Sequence, residues 1–150
     1  MQDDITKLES IPDGTASVIY ASHVLEHTTR HTWKTVLALW VRKLQSGGTL
    51  RIAVPDFAAA ATWYLAHGNI TEVMGLVSGG QRDAYDFHNV VFDARSLAAG
   101  MEEAGCVDVH TWDWRYTEHT AHDDYSQAYL PHMDKEHGCL MSLNLEGRKA

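Results

Sequence analysis

One stretch, residues 15–55, leaves this chain little choice of fold. Residues 15–21 (Thr-Ala-Ser-Val-Ile-Tyr-Ala) are a short β-branched and apolar run behind the turn pair Asp13-Gly14, and read as a buried strand. In residues 31–45, Val36, Leu37, Trp40, Val41 and Leu44 recur at three- and four-residue spacing, which predicts a helix with one apolar face, ended by Gly47-Gly48. Residues 49–54 form a second apolar strand, closed by Pro55, whose fixed φ and missing N–H suit a strand exit. Two parallel strands joined through a helix make a right-handed βαβ unit, so the expected class is α/β with a doubly wound sheet.

The remaining pattern fits that class. Short helices are expected over residues 57–66 and 70–77, a third over Ala94–Glu103 ending at Gly105, and strands over 106–112 and 140–146, the last alternating apolar with polar residues. A polar loop runs from Gly79-Gly80 to Phe92. Residues 113–138 form a 26-residue connection, far longer than the usual two to six, and are expected to be a long loop or lid. The 150 residues, 45% hydrophobic, suffice for one domain with its own core and no staple.

Composition excludes several classes. The longest apolar run, Val36 to Val41, is six residues where a spanning helix needs about 20, so no membrane segment is expected. The start Met1-Gln2-Asp3-Asp4 has no basic region followed by an apolar stretch, and a cytoplasmic address follows. Net charge is −8, and all of it arises between Gln81 and His137, where 12 acids face four bases. The longest basic cluster is Arg42-Lys43, so nucleic acid is not an expected partner. Cys106 and Cys139 lie in no Cys-x-x-Cys pattern and are expected to be reduced, packed thiols.

In a doubly wound sheet ligands bind outside the carboxyl ends of the strands. The segment Ser22-His23-Val24-Leu25-Glu26-His27 falls there, bringing two imidazoles and a carboxylate to the crevice. His23, His27 and His31 would align along one face if the helix began that early. Imidazoles at i and i+4 can bind zinc, but metalloprotease helices read His-Glu-x-x-His, whereas here Glu26 directly precedes the second His. The favoured reading is that these histidines cap and line the helix start, with no metal. His119-x-x-His122-Asp123-Asp124 is read as a solvated loop. The chain contains no Gly-x-Ser-x-Gly elbow, Gly-x-Gly-x-x-Gly or P-loop.

The order of motifs resembles the middle and end of class I S-adenosylmethionine-dependent methyltransferases of the type 11 kind. The residues that carry it are Asp4-Ile5-x-x-Leu8, Ile11-Pro12-Asp13-Gly14-x-x-Ser17-Val18-Ile19 and Ser22 to His27. They continue with Leu44-x-x-Gly47-Gly48-x-Leu50-x-Ile52-x-Val54-Pro55-Asp56 and Ala104-Gly105-Cys106. Gly80-Gln81 and His88, leading into Phe92-Asp93-x-x-Ser96-Leu97, are similar to methyltransferases often found with sugar and surface-polysaccharide genes.

The resemblance implies a Rossmann-like sheet with an antiparallel last strand, S-adenosylmethionine as cofactor, and a small molecule or glycan as methyl acceptor. It implies that Asp4 accepts a hydrogen bond from the adenine amino group while the Ile5 N–H meets the ring. Ala21, Ser22 and His23 border the cofactor's methionine part, Glu26 and His27 face the acceptor, and His27 or His88 serves as base.

The family's glycine-rich loop and ribose-binding carboxylate should precede Asp4, where only three residues stand. The expectation is a truncated domain whose first strand has an open edge, covered by a partner chain or by another copy. The alternative functions are a noncatalytic partner module or degenerate copy of such an enzyme, and, from another class, a His/Asp metal-binding protein.

Overall fold

The computed structural model describes residues 3–150. In chain order, β1 (Ala16–Ser22) leads through a single 3-10 turn at Leu25–His27 into α1 (Trp33–Lys43) and β2 (Leu44–Pro55). Helices α2 (Phe57–His67), α3 (Ile70–Ser78) and α4 (Ala94–Glu103) follow, then β3 (Cys106–Thr111), the short strands β4 (Tyr129–Leu130) and β5 (Cys139–Leu140), and β6 (Ser142–Lys149). The main sheet has the order β1-β2-β6-β3, with β1 parallel to β2 and β6 antiparallel to both of its neighbours. The α/β class with an antiparallel last strand is as the sequence predicts.

Alternation along the strands gives the sheet two different faces. Ile19 and Ala21 of β1 lie beside Leu50 and Ile52 of β2, which in turn pair with Gly147 and Leu145 of β6. This face packs against Val36, Leu37, Trp40 and Val41 of α1 and Leu97 and Met101 of α4 in one apolar cluster. The opposite face presents Tyr20, Ser22, Arg51, Ala53, Asn144 and Glu146. No helix covers it. Residues 113–128, which contain three short 3-10 turns, lie across it instead.

Several boundaries differ from the sequence reading, each for a local reason. Helix α1 starts at Trp33 because the Thr29 and Thr32 hydroxyls bond each other across a turn that occupies the preceding residues. Strand β2 runs through Gly47-Gly48. Gly47 has φ +73°, and a Cβ on Gly48 would come within 3.0 Å of the Ala16 carbonyl, so the two glycines let the strand bulge past β1. The last strand begins at Ser142, since Leu140 pairs with Tyr129 in the β4–β5 ladder. Cys106 is buried, with its thiol pushed up to about 11 by burial, but Cys139 is exposed, contrary to the expectation that both are packed.

Among the described residues β1 pairs only with β2, and Val18 on it is 42% exposed. No helix among the described residues is long and apolar enough to cross a membrane.

Candidate functional site

Directly after β1 the chain turns sharply. The His23 N–H donates to the Ala53 carbonyl at 2.8 Å, which extends the β1–β2 ladder by one bond, and His23 then adopts φ +50°. That left-handed residue throws the backbone into the Leu25–His27 turn, so Glu26 points inward while His23 and His27 border a cavity. The three histidines expected along one helix face are therefore not aligned. His31 is exposed and takes a hydrogen bond from Arg30 Nε, away from the other two.

A second segment completes the site from 60 residues downstream. The Asn89 and Val90 N–H groups both donate to the Glu26 carbonyl, at 2.8 and 3.2 Å, and Asn89 Nδ2 donates to the His27 carbonyl at 3.1 Å. These bonds strap the polar loop onto the Leu25–His27 turn and set His88 beside Glu26, with Nε2 3.8 Å from Oε1. His88 also bonds the Leu76 carbonyl through Nδ1 at 2.9 Å, so it anchors the loop and faces the cavity at once.

The cavity, of about 440 Å³, lies at the carboxyl ends of β1 and β2. His23, His27 and His88 form one wall. Leu76 of α3, Tyr125 and Met133 of the 113–138 segment, and Met141 before β6 form others. The long segment thus does two things: it coats the polar sheet face, and its later half walls the cavity. Asp124 ties it down, accepting from Tyr20 Oη at 2.7 Å and Ser22 Oγ at 3.1 Å. His119 stacks on Tyr20 with ring centroids 3.8 Å apart. Of the stretch read as a solvated loop, His119 and Asp124 are therefore part of the packing, whereas His122 and Asp123 are exposed.

Electrostatics set Glu26 apart. It is fully buried, stands behind the imidazoles rather than in the cavity wall, and neither carboxyl oxygen has a hydrogen-bond partner. Burial pushes its pKa up to about 8. Burial, reinforced by the neighbouring His88, pushes His23 down to about 3. His23 Nδ1 and Glu26 Oε1 are 3.4 Å apart, close enough for an ion pair, but both groups lose hydration there, which favours the neutral form of each. His88 is also lowered by burial.

The other expected site residues lie elsewhere. Asp4 is exposed and its Oδ1 accepts from the Thr6 N–H and hydroxyl, leaving Oδ2 3.9 Å from Lys7. The Ile5 carbonyl accepts from Trp40 Nε1 at 2.9 Å, holding the N-terminal segment on α1. Neither lines the cavity. Ala21 is buried in the core, and Ser22 is engaged with Asp124. Sequence reasoning missed Tyr125, Met133 and Met141; only the length of the 113–138 connection hinted that it mattered.

Comparison with known proteins bears on the fold. A possible exported protein from Bordetella parapertussis aligns with 98% of this chain at TM-score 0.61 and 14% identity, over 42% of its own length. A SAM-dependent methyltransferase from Archaeoglobus fulgidus aligns with 99% at TM-score 0.57 and 14% identity, over 66% of its length. Human N-acetylserotonin methyltransferase in complex with SAM aligns with the whole chain at TM-score 0.60 and 11% identity, over 33% of its length. The fold is one that solved methyltransferases share. The chain spans between a third and two thirds of these three proteins, so the methyltransferase fold is matched in part. No protein-family model and no curated protein sequence matches the chain.

Proposed function

We propose that this chain forms the acceptor side of an S-adenosylmethionine-dependent methyl-transfer site and that the acceptor is a small molecule or glycan. The observation that carries the reading is the histidine-walled cavity at the carboxyl ends of β1 and β2, in a sheet whose fold is that of methyltransferases. Its volume suits a sugar-sized ligand. In such a transfer the sulfonium is the leaving group, so the protein mainly has to align an attacking atom and accept its proton. His27 is suited to accept that proton, because with Nδ1–H donating to the Phe87 carbonyl at 3.0 Å its Nε2 keeps a lone pair. His88 has the same arrangement through Leu76 and is the other candidate base.

On this reading Asp4 uses Oδ2, which accepts no hydrogen bond from Thr6, for the adenine amino group, Ile5 offers its N–H to the ring, and Ala21, Ser22 and His23 border the methionine part. Glu26 positions His23 and His88 without touching the acceptor. The open edge of β1 is covered by a partner chain or a second copy, and the protein works in the cytoplasm.

Isothermal titration of the chain with S-adenosylmethionine tests the proposal. Micromolar binding is expected, and no heat up to millimolar cofactor would overturn it. The exposed edge of β1 favours a second reading, a noncatalytic module that docks on a complete methyltransferase. That reading expects no cofactor binding by the chain alone.

A further inference from the structure

We propose that Glu26, His27 and His88 bind one divalent transition-metal ion at the floor of the cavity, leaving coordination positions open to a ligand above it. The proposal goes beyond methyl transfer and does not depend on it; an ion held on both Nε2 atoms takes the place of the base role given to His27 or His88 above.

Its starting point is Glu26. A fully buried carboxyl group with both oxygens unpartnered needs an explanation, and an ion is one of few that satisfy both oxygens. The second observation is convergence. One ligating atom from each of Glu26, His27 and His88 lies within 4.8 Å of the others, although His88 comes from a segment far away in sequence. Zinc–nitrogen distances of about 2.0–2.1 Å put tetrahedral ligand atoms roughly 3.4 Å apart, so side-chain adjustments of about an ångström close the site.

The third observation is how the rings are held. His27 Nδ1 faces the Phe87 carbonyl at 3.0 Å and His88 Nδ1 faces the Leu76 carbonyl at 2.9 Å. A carbonyl can only accept, so each Nδ1 carries the proton and each Nε2 is left with a lone pair. Metal-binding imidazoles are oriented in this way by main-chain carbonyls on their other nitrogen.

Two imidazoles and one carboxylate select the ion. Imidazole favours zinc, cobalt, nickel or iron over magnesium and calcium, and three protein ligands leave open positions as in catalytic rather than structural sites. Those positions face a cavity also lined by His23 and Tyr125, which gives a ligand with adjacent hydroxyls a place to chelate.

The test uses the full chain after chelator treatment, titrated with Co²⁺ alone and followed by its visible absorption, with Zn²⁺ competition. One ion per chain at micromolar affinity or tighter is expected, and His88→Ala or Glu26→Gln should weaken it at least tenfold while His31→Ala leaves it unchanged. Substoichiometric uptake, or equal affinity in His88→Ala, overturns the proposal. Because a variant could lose its fold, imidazole NMR of the unmodified chain is the second readout. Zn²⁺ should shift the His27 and His88 ring signals and spare His31 and His67. Equal shifts at all four mean scattered surface binding and overturn the site. Cofactor titration is a separate measurement, so the methyl-transfer reading can fail while this one stands.

Discussion

The two faces of the sheet are held by different physics. Against α1 and α4 the contact is continuous and apolar: Leu50, Ile52, Val54, Leu143 and Leu145 are all at most 5% exposed and meet aliphatic or aromatic partners. The opposite face is held by particular polar contacts. Arg51 bonds Glu146 at 2.6 Å and Glu118 at 3.0 Å, Asn144 Nδ2 donates to the Ser126 carbonyl at 3.0 Å, and Asp124 takes both Tyr20 and Ser22. Apolar burial is non-directional and tolerates approximate partners, whereas each polar contact needs one partner in one geometry. The cavity lies at the carboxyl end of this sheet, where the polar coat also supplies a wall.

Glu26 offers the largest way to sharpen that contrast, since it is a polar group buried without the pairing the second face enjoys. With its pKa raised from 4.5 to about 8, the folded state holds its proton longer than the unfolded chain. Its contribution to stability in the absence of metal is therefore full below pH 4.5 and is lost as pH rises towards 8. The slope approaches about 1.4 kcal/mol per pH unit, several kcal/mol in all. Because His23, lowered by burial, works in the opposite direction below pH 6.5, urea unfolding should show the falling slope between pH 6.5 and 8, and Glu26→Gln should remove it. A parallel decline in both proteins would refute the assignment.

On the apolar face, Ile52→Ala should cost about 2–5 kcal/mol, read as a lower denaturation midpoint, because the cavity it leaves is surrounded by residues that cannot collapse. A loss below about 1 kcal/mol would mean that this face is less well packed than described. On the polar face, Asp124→Asn should cost less, about 1–2 kcal/mol, by weakening the bonds from Tyr20 and Ser22. Burial raises the Asp124 pKa, but hydrogen bonds from Ser126, Tyr20 and Ser22 outweigh it and hold it below 3.8. Its contribution is therefore present above pH 3.8 and lost as pH falls further. A difference between Asp124→Asn and the unmodified chain that does not shrink as pH falls below 3.8 would contradict this. Smallest of all, the exposed Lys34–Glu103 pair between α1 and α4 should contribute at most about 1 kcal/mol and fade with salt.

Legibility in the sequence follows the same division. The helix positions Val36, Leu37, Trp40 and Val41 and the strand 49–54 announce themselves because one buried face imposes a period of about 3.6 or 2. The Ser22 to His27 segment is recognisable as site-bearing because it follows a strand that enters the crevice. That His23, His27 and His31 do not share a face could not be read, since it turns on the left-handed conformation of His23, which a pattern of apolar residues does not encode. The role of residues 113–138 was hidden for a similar reason: their short 3-10 turns have no period and are placed by long-range bonds to Tyr20, Arg51 and Asn144.

The sequence by itself determined the α/β class, the βαβ unit and the apolar face, because hydrophobic periodicity is a local property that specifies what must be buried. Only the tertiary structure decided that Glu26 is buried with unpartnered oxygens beside His23 and His88, and that a 26-residue connection covers the second face and walls the cavity. Those outcomes depend on directional contacts between residues 60 to more than 100 positions apart, such as Asn89 with His27 and Asp124 with Tyr20, and no local pattern carries that information.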